Sequence, residues 1–388
     1  MDVGALRKKI PTTQDMTYLN TGWSGPSPAS VVEAIKERLD YESYNGPTTP
    51  EVMDSGKRVD LQTREAVARL LGVSADEILL TANTTTGLNI VLNGLPWQDG
   101  DEIITCNLEH ASILLPSYHL RESRGVVTRV LQLEPGEAHD SILSKVEAAI
   151  TDRTRMVFFS HIEFSTGLRI PVEGIRALTK DRGIWMLIDG AQAAGHIPLD
   201  LKAIDCDFYS IPGQKWLLGP DETGALYVRK SMIPELQPVD IGYETALEYD
   251  REGGYVPNSD SIDKLLVSTA SVPLHAGLLE GIHVVDEVGV AAILARNLSL
   301  ASVLKAGLAA TPGVTIRSPM DGPGATGLVA FSIDGADHEA TCMELWRSSR
   351  IMIRNIKYPD GLRASLDFFN TEDEVAALVD AVQGLGGA

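Results

Sequence analysis

Short apolar runs alternate with amphipathic stretches through the first two thirds of the chain. The runs EILLTA (77–82), DEIITC (101–106), VVTRVLQL (126–133), RMVFFSH (155–161), IWMLID (184–189), DFYSI (207–211) and GALYVR (224–229) are mostly β-branched or aromatic, with Gly, Asp or Pro at their borders. That pattern predicts strands. Between them, VDLQTREAVARLLGV (59–73) places apolar residues at every third or fourth position, with Gly72 as a stop. HDSILSKVEAAI (139–150) and VEGIRALTKDRG (172–183) also read as helices. Strand and helix in alternation imply an α/β fold: a mostly parallel, seven-stranded sheet sandwiched by helices. Ligands of such sheets sit beyond the carboxyl ends of the strands. After about residue 270 the texture changes. A long helical region is followed by GLVAFSID, RIMIRNI and a terminal helix, EDEVAALVDAVQ. The predicted division is an N-terminal segment (1–15) packing on the small domain, a large domain (16–270) and a small C-terminal α/β domain (271–388). The polar, Gly-rich stretch 242–260 reads as a long loop that is mobile or covers the site.

Composition narrows the function. The 388 residues are 44% hydrophobic and 22% charged, which excludes a disordered chain, a coiled coil and a disulfide scaffold. Fifty-three acidic residues against 33 basic ones give a net charge of −20. This balance argues against nucleic acid and against anionic lipid as partners. Cys106, Cys206 and Cys342 lie far apart, without a CxxC pair, so no metal knuckle is expected. The first residues, MDVGALRKKIPTTQDM, lack the apolar core of a signal peptide, and no apolar run reaches the roughly 18 residues of a membrane span. The expectation is a cytoplasmic protein.

Two motifs carry chemistry. In DFYSIPGQKWLLGPDETGALYVR (207–229) a strand runs into a Gly-containing turn that presents Lys215. Desolvation lowers a lysine pKa and frees an amine able to bond an aldehyde. In IWMLIDGAQAAGHIPLD (184–200) an apolar strand ends in Asp189, and the small residues Gly190, Ala191 and Ala193 follow, which leave room for a flat ring. Alone, Lys215 fits a solvated surface lysine and Asp189 fits a helix cap. Together, 26 residues and one strand apart, they suggest a pyridoxal phosphate site: lysine for the aldehyde, carboxylate for the pyridinium nitrogen.

From YLNTGWSGPSP (18–28) to LRASLDFFNTEDEVAALV (362–379), the chain resembles the class V, fold-type I pyridoxal-phosphate enzymes, in particular the cystine/cysteine C–S lyase and isopenicillin N epimerase-like branch. The resemblance implies pyridoxal 5'-phosphate as cofactor and a small amino acid as substrate. TANTTTGLNIVLNGL (81–95) resembles the phosphate loop, with Thr84, Thr85 and Thr86 opening a helix whose free N–H groups favour an anion. NLEHASILLPS (107–117) implies His110 over the cofactor ring. Gln192 is implied at the cofactor's phenolic oxygen, and Gln214 beside Lys215 among the cofactor-binding residues. Thr269, in VSTAS, is implied at the phosphate of a partner subunit, hence a homodimer with shared active sites. Arg363 matches the residue that takes the substrate carboxylate; Arg354, Asn20 and Gly22 are the further substrate-side candidates.

The chain departs from that pattern in three places. Pro212 offers no hydroxyl, and Gln214 replaces the usual histidine before the lysine. SHIEFSTGLRIPV (160–172) has Glu163, Phe164 and Ser165 where desulfurases commonly have an asparagine. Desulfurases also carry a nucleophilic cysteine shortly before the Arg363 position, but Ser348 to Ala364 contains none, and Cys342 reads as a structural residue on a helix. These features point to a β-eliminating C–S lyase acting on cystine, cysteine or an S-substituted cysteine. An aminotransferase, an amino-acid epimerase and a cysteine desulfurase are the alternatives.

Overall fold

The computed structural model describes residues 1–385; the last three positions of the expected small domain lie outside the described residues. The chain opens with α1 (Val3–Lys9), a short strand β1 (Thr17–Tyr18), α2 (Ala29–Asn45) and α3 (Pro50–Leu71). Gly72 ends α3 in the left-handed conformation, as its position after the periodic run predicts. The central alternation follows: β2 (Ile78–Thr81), α4 (Thr84–Gly94), β3 (Glu102–Cys106), α5 (Ala111–Arg124), β4 (Val127–Leu131) and α6 (His139–Ala149). It continues with β5 (Thr154–Ser160), α7 (Val172–Thr179), β6 (Trp185–Asp189), α8 (Leu201–Ile204), β7 (Phe208–Pro212) and β8 (Gly224–Val228).

These seven strands form one sheet in the order β2-β8-β7-β6-β5-β3-β4. Only β8 runs antiparallel to its neighbours, so the sheet is mostly parallel. Its strands are apolar on both faces because both faces are covered. Val157 and Phe159 point to a core shared with α3, α6, α7 and α9 (Val272–Val288). Met156 and Phe158 point to the opposite core, built with α4 and α5. Ser160, Asp189 and Ser210 therefore stand side by side at one end of the sheet.

Residues 242–260 hold an exposed antiparallel hairpin, β9 (Ala246–Tyr249) and β10 (Tyr255–Pro257), where the sequence suggested an irregular loop. Aromatic and β-branched residues in that polar stretch supply the strands. Helix α9, expected to open the small domain, lends Leu278 and Ile282 to the large core. Its Gly277 faces Ile35 of α2, and a Cβ there would lie 2.7 Å from Ile35 Cγ1. Next come α10 (Val290–Ala309), β11 (Val314–Ile316), β12 (Leu328–Ile333), α11 (His338–Ser349), β13 (Ile351–Met352), β14 (Arg354–Lys357), β15 (Asp360–Ser365) and α12 (Glu372–Leu385). The run RIMIRNI thus splits into two strands. Four strands make an antiparallel sheet, order β11-β12-β15-β14. Helix α10 is long and apolar enough to match a membrane span, yet it carries Arg296, Asn297 and Lys305 and buries Leu300, Leu304 and Leu308 in the core of this second sheet.

The N-terminal residues pack on the C-terminal part of the chain, and Gly25 N–H then donates to the Gln214 carbonyl after β7 (2.6 Å). Arg7 bonds Glu374 and the carbonyl of Phe369, β1 pairs with β13, and Asn20 bridges Ser365. This brings the 20–25 loop over the ends of the central strands.

Candidate active site

A cavity of about 370 Å³ opens at the carboxyl ends of the parallel strands. Lys215, Asp189, His110, Thr84 and Thr85 line it. So do Gln192, Gln214, Gly22 and Arg354. Residues from six separate segments therefore meet where a ligand of this fold sits.

Lys215 sits in the turn after β7, at the end of the strand beside Asp189. Burial pushes its pKa down to about 8, aided by Arg363 and Arg354 and opposed by Asp189. Asp189 is itself raised by burial, with Lys215 and the N–H of Ala191 (2.8 Å) favouring its ionised form. Each group thus favours the ionised form of the other against the common effect of burial. Gly190 has another role than the sequence suggested. A Cβ there would run into the Tyr209 ring, so its smallness lets β6 and β7 pack, while Ala191 borders the cavity.

His110 caps α5: its Nδ1 accepts the N–H of Ser112 at 3.1 Å and lies 2.8 Å from Ser112 Oγ. Phe164 meets the imidazole edge-on, with ring centroids 4.9 Å apart. Desolvation first, then Lys215, Arg354 and Arg363, push its pKa down to about 4, so the ring is neutral at physiological pH. Gln192 is fixed at both ends of its amide. Its Nε2 donates to the Gly22 carbonyl (2.7 Å), and its Oε1 accepts from Trp216 Nε1 (2.9 Å). One N–H of Gln192 stays free to donate. Gly22 has no room for a side chain: a Cβ would lie 2.7 Å from Ser365 Oγ and 2.9 Å from Gln192 Oε1.

The N-terminus of α4 points at the same space. Asn83 Oδ1 accepts the N–H of Thr86 (2.9 Å), and Thr86 Oγ1 turns to the same oxygen, away from the expected phosphate. Thr85 Oγ1 bonds Ser112 Oγ (2.8 Å). Thr84 Oγ1 is buried without a partner, and Gln214 Oε1 likewise. Unpaired buried polar atoms are costly, and both residues line the cavity, so a bound ligand or water has unfilled positions to occupy there.

Arg363 is fully buried on β15 and is not among the residues that line the cavity; it lies directly behind Gly22, where a Cβ would come 3.1 Å from its Nη2. Its Nη1 donates to the Phe164 carbonyl (2.6 Å), while Nε and Nη2 have no partner. Burial without a carboxylate pushes its pKa well down, the signature of a guanidinium that awaits an anion. Asn20 Oδ1 is also buried and unpartnered. Arg354 packs its guanidinium 4.3 Å from the centroid of the Trp23 ring at the cavity rim. Trp23 is 54% exposed. Thr269 lies on an exposed loop outside the cavity of this chain, so its expected role needs a second subunit. Trp23, Ser160 and Ser112 are cavity residues that sequence motifs did not single out. An exposed aromatic beside NTG was the available hint for Trp23.

Residues 17–378 match the family model for class V aminotransferases. The chain belongs to that family. A probable cysteine desulfurase of Methanothermobacter thermautotrophicus is 30% identical, with 98% of each chain covered. An isopenicillin N epimerase of Streptomyces clavuligerus is 30% identical over 95% of this chain and 94% of its own. Among solved structures, the cystine C–S lyase C-DES, in complex with its product cysteine persulfide, superposes with a TM-score of 0.90 at 28% identity, covering 96% and 99% of the two chains. Cysteine desulfurase from Thermococcus onnurineus NA1 gives 0.91 at 26% identity, covering 99% of this chain and 98% of the other. The fold is the fold-type I pyridoxal-phosphate fold, and the family is pyridoxal-phosphate-dependent.

The residues present fit that cofactor. A desolvated lysine, a strand-end carboxylate, a free helix N-terminus with an unpartnered hydroxyl and a free amide N–H surround one cavity of ring size. Lys215 would hold the aldehyde, Asp189 the ring nitrogen, Gln192 the phenolic oxygen, and Thr84 and Thr85 with the α4 N-terminus the phosphate end; Gln214 lines the same cavity beside Lys215. One consequence is measurable. Cofactor capture by the free protein needs neutral Lys215, so its rate rises with pH and levels off above about 8. A lysine of ordinary pKa near 10.4 keeps rising beyond that point. Stopped-flow absorbance between pH 6 and about 10 separates the two.

Proposed function

We propose that the chain is a carbon–sulfur lyase that takes cystine, cysteine or an S-substituted cysteine to pyruvate, ammonia and a thiol or persulfide. The bound cofactor supplies the electron sink for bond breaking at the amino acid's α-carbon. Arg363 presents two unpaired donors to the substrate carboxylate and so fixes its orientation. Lys215, neutral at mildly alkaline pH, takes the proton from Cα; a positioned base contributes about 10²–10⁴-fold. Asp189 holds negative charge at the ring-nitrogen end of the cavity. The sulfur substituent departs with its bonding electrons, and Arg354, packed on Trp23 at the cavity rim, is a cation that would offset the charge it carries.

The observation that carries this reading over desulfuration is the placement of the thiols. Cys106 and Cys206 are buried, and half-buried Cys342 sits on α11 with a pKa pushed up to about 12 by burial. None of the three is among the residues that line the cavity, which supports elimination over transfer of sulfur to a protein thiolate. Likeness to C-DES supports the same reading. The test is product analysis with cystine, cysteine and an S-alkyl cysteine, with no keto acid added. Pyruvate with stoichiometric sulfur release is the expected result. Inversion at Cα without pyruvate supports the epimerase alternative, and turnover that requires a keto acid supports the aminotransferase.

A further inference from the structure

Three acidic groups meet beneath the cavity with no cation among them. Cys106 ends β3, Glu109 lies in the turn into α5, and Glu163 follows β5. The thiol sulfur and a carboxylate oxygen from each glutamate lie within 4.8 Å of one another, and all three residues are buried. Cys106 Sγ stands 3.2 Å from Glu163 Oε1 and 3.8 Å from Glu109 Oε1. Ser160 donates twice to Glu109, from its N–H (2.9 Å) and from its hydroxyl (2.6 Å). Glu163 Oε2 has no partner. Two carboxylates this close, both dry and without a cation, do not both ionise. Burial raises both carboxyls, Glu109 well above its ordinary range and Glu163 to about 8. The two Ser160 donors oppose that rise at Glu109 alone, while Glu163 Oε2 has no donor, so the geometry makes Glu109 the better site for the charge and Glu163 the better site for the proton. The Cys106 thiol is held protonated by burial and by both glutamates.

The cluster connects to the cofactor site through Ser160. That residue lines the cavity and is the β-ladder partner of Asp189. Its hydroxyl proton is committed to Glu109, so the charge on the pair sits one strand from Asp189. The titratable and charged groups that face this unit are Cys106 from β3, Asp189 from β6 and, across Asp189, Lys215 from the turn after β7, with Arg363 and Arg354 beyond.

We propose that Glu109 and Glu163 hold one proton between them, and that the remaining negative charge acts with Asp189 to keep the ring nitrogen of the bound cofactor protonated. Both are positioning residues, since neither lines the cavity. The proposal rests on the family's cofactor and is independent of which reaction the enzyme performs.

The experiment uses cofactor labelled with ¹⁵N at the ring nitrogen, bound to wild-type protein, E163Q and the double variant E109Q/E163Q. The ¹⁵N chemical shift is followed against pH, with no substrate present. E163Q keeps an amide donor against an ionised Glu109, so its charge count is unchanged and its curve should overlay the wild type. The double variant removes the charge, and its ring nitrogen should lose the proton about 1–2 pH units lower. That is the size expected for one unit charge several ångströms away at an effective dielectric near 20. A double-variant curve that matches the wild type overturns the proposal. So does an E163Q curve displaced as far as the double variant. If the double variant does not fold, infrared spectroscopy decides. A carboxylic-acid C=O stretch assigned to the pair should be present in wild-type protein and absent in E163Q; its absence from wild type, or its persistence in E163Q, contradicts the shared proton.

Discussion

Lys215→Ala is expected to lower turnover by about 10²–10⁴-fold or more, the contribution of a positioned base at the reacting carbon. The lysine has two duties, anchoring the cofactor aldehyde and moving the Cα proton, and alanine removes both. The cofactor should still bind, because Asp189, Gln192 and the α4 N-terminus remain in place. The variant should therefore retain cofactor through gel filtration less firmly than wild type, with an absorption spectrum closer to that of the free aldehyde. Wild-type pyruvate release from Lys215→Ala would remove the residue from the mechanism.

Arg363→Ala is expected to reduce kcat/KM by about 10²–10⁴-fold. Hydrogen bonds to charged groups contribute about 1.5–3 kcal/mol each, and Arg363 has two donors without a protein partner. Two such bonds give about 3–6 kcal/mol, and each 1.4 kcal/mol is tenfold. Arg363→Lys should recover little of this, because an ammonium lacks the planar fork that matches a carboxylate. Thermal melting accompanies the kinetics, since Nη1 also ties the Phe164 carbonyl and its loss loosens that loop. The buried, unpaired cation costs stability in the free protein, so the alanine variant should melt no lower than expected for the lost loop bond. Unchanged kcat/KM would mean that the substrate carboxylate binds elsewhere.

Lys215 and Asp189 were legible in the sequence because each is tied to a local pattern, an apolar strand followed by a tight turn. The helix start at Thr84 was legible for the same reason. Arg363 was nameable only by resemblance; its two unpaired donors follow from packing of β15 against the 160–170 loop. The Glu109 and Ser160 contact spans 51 residues and exists because β3 and β5 are neighbours in the sheet. A sequence shows strands but not their lateral order, so that contact was beyond reach. Gly190 was misread for a related reason: its neighbour Tyr209 comes from the adjacent strand. The hairpin at 246–257 was hidden because its strands are short and solvent-exposed, without the apolar alternation that marks a half-buried strand. The sheet itself was legible because its two covered faces leave nearly continuous apolar runs.

The most direct test of the central claim is reductive trapping of the cofactor on the protein, followed by peptide mapping. After borohydride treatment of cofactor-loaded protein, the account predicts one modified peptide, with the added mass on Lys215. Modification of a different lysine, or none, would contradict the site built here around Lys215 and Asp189.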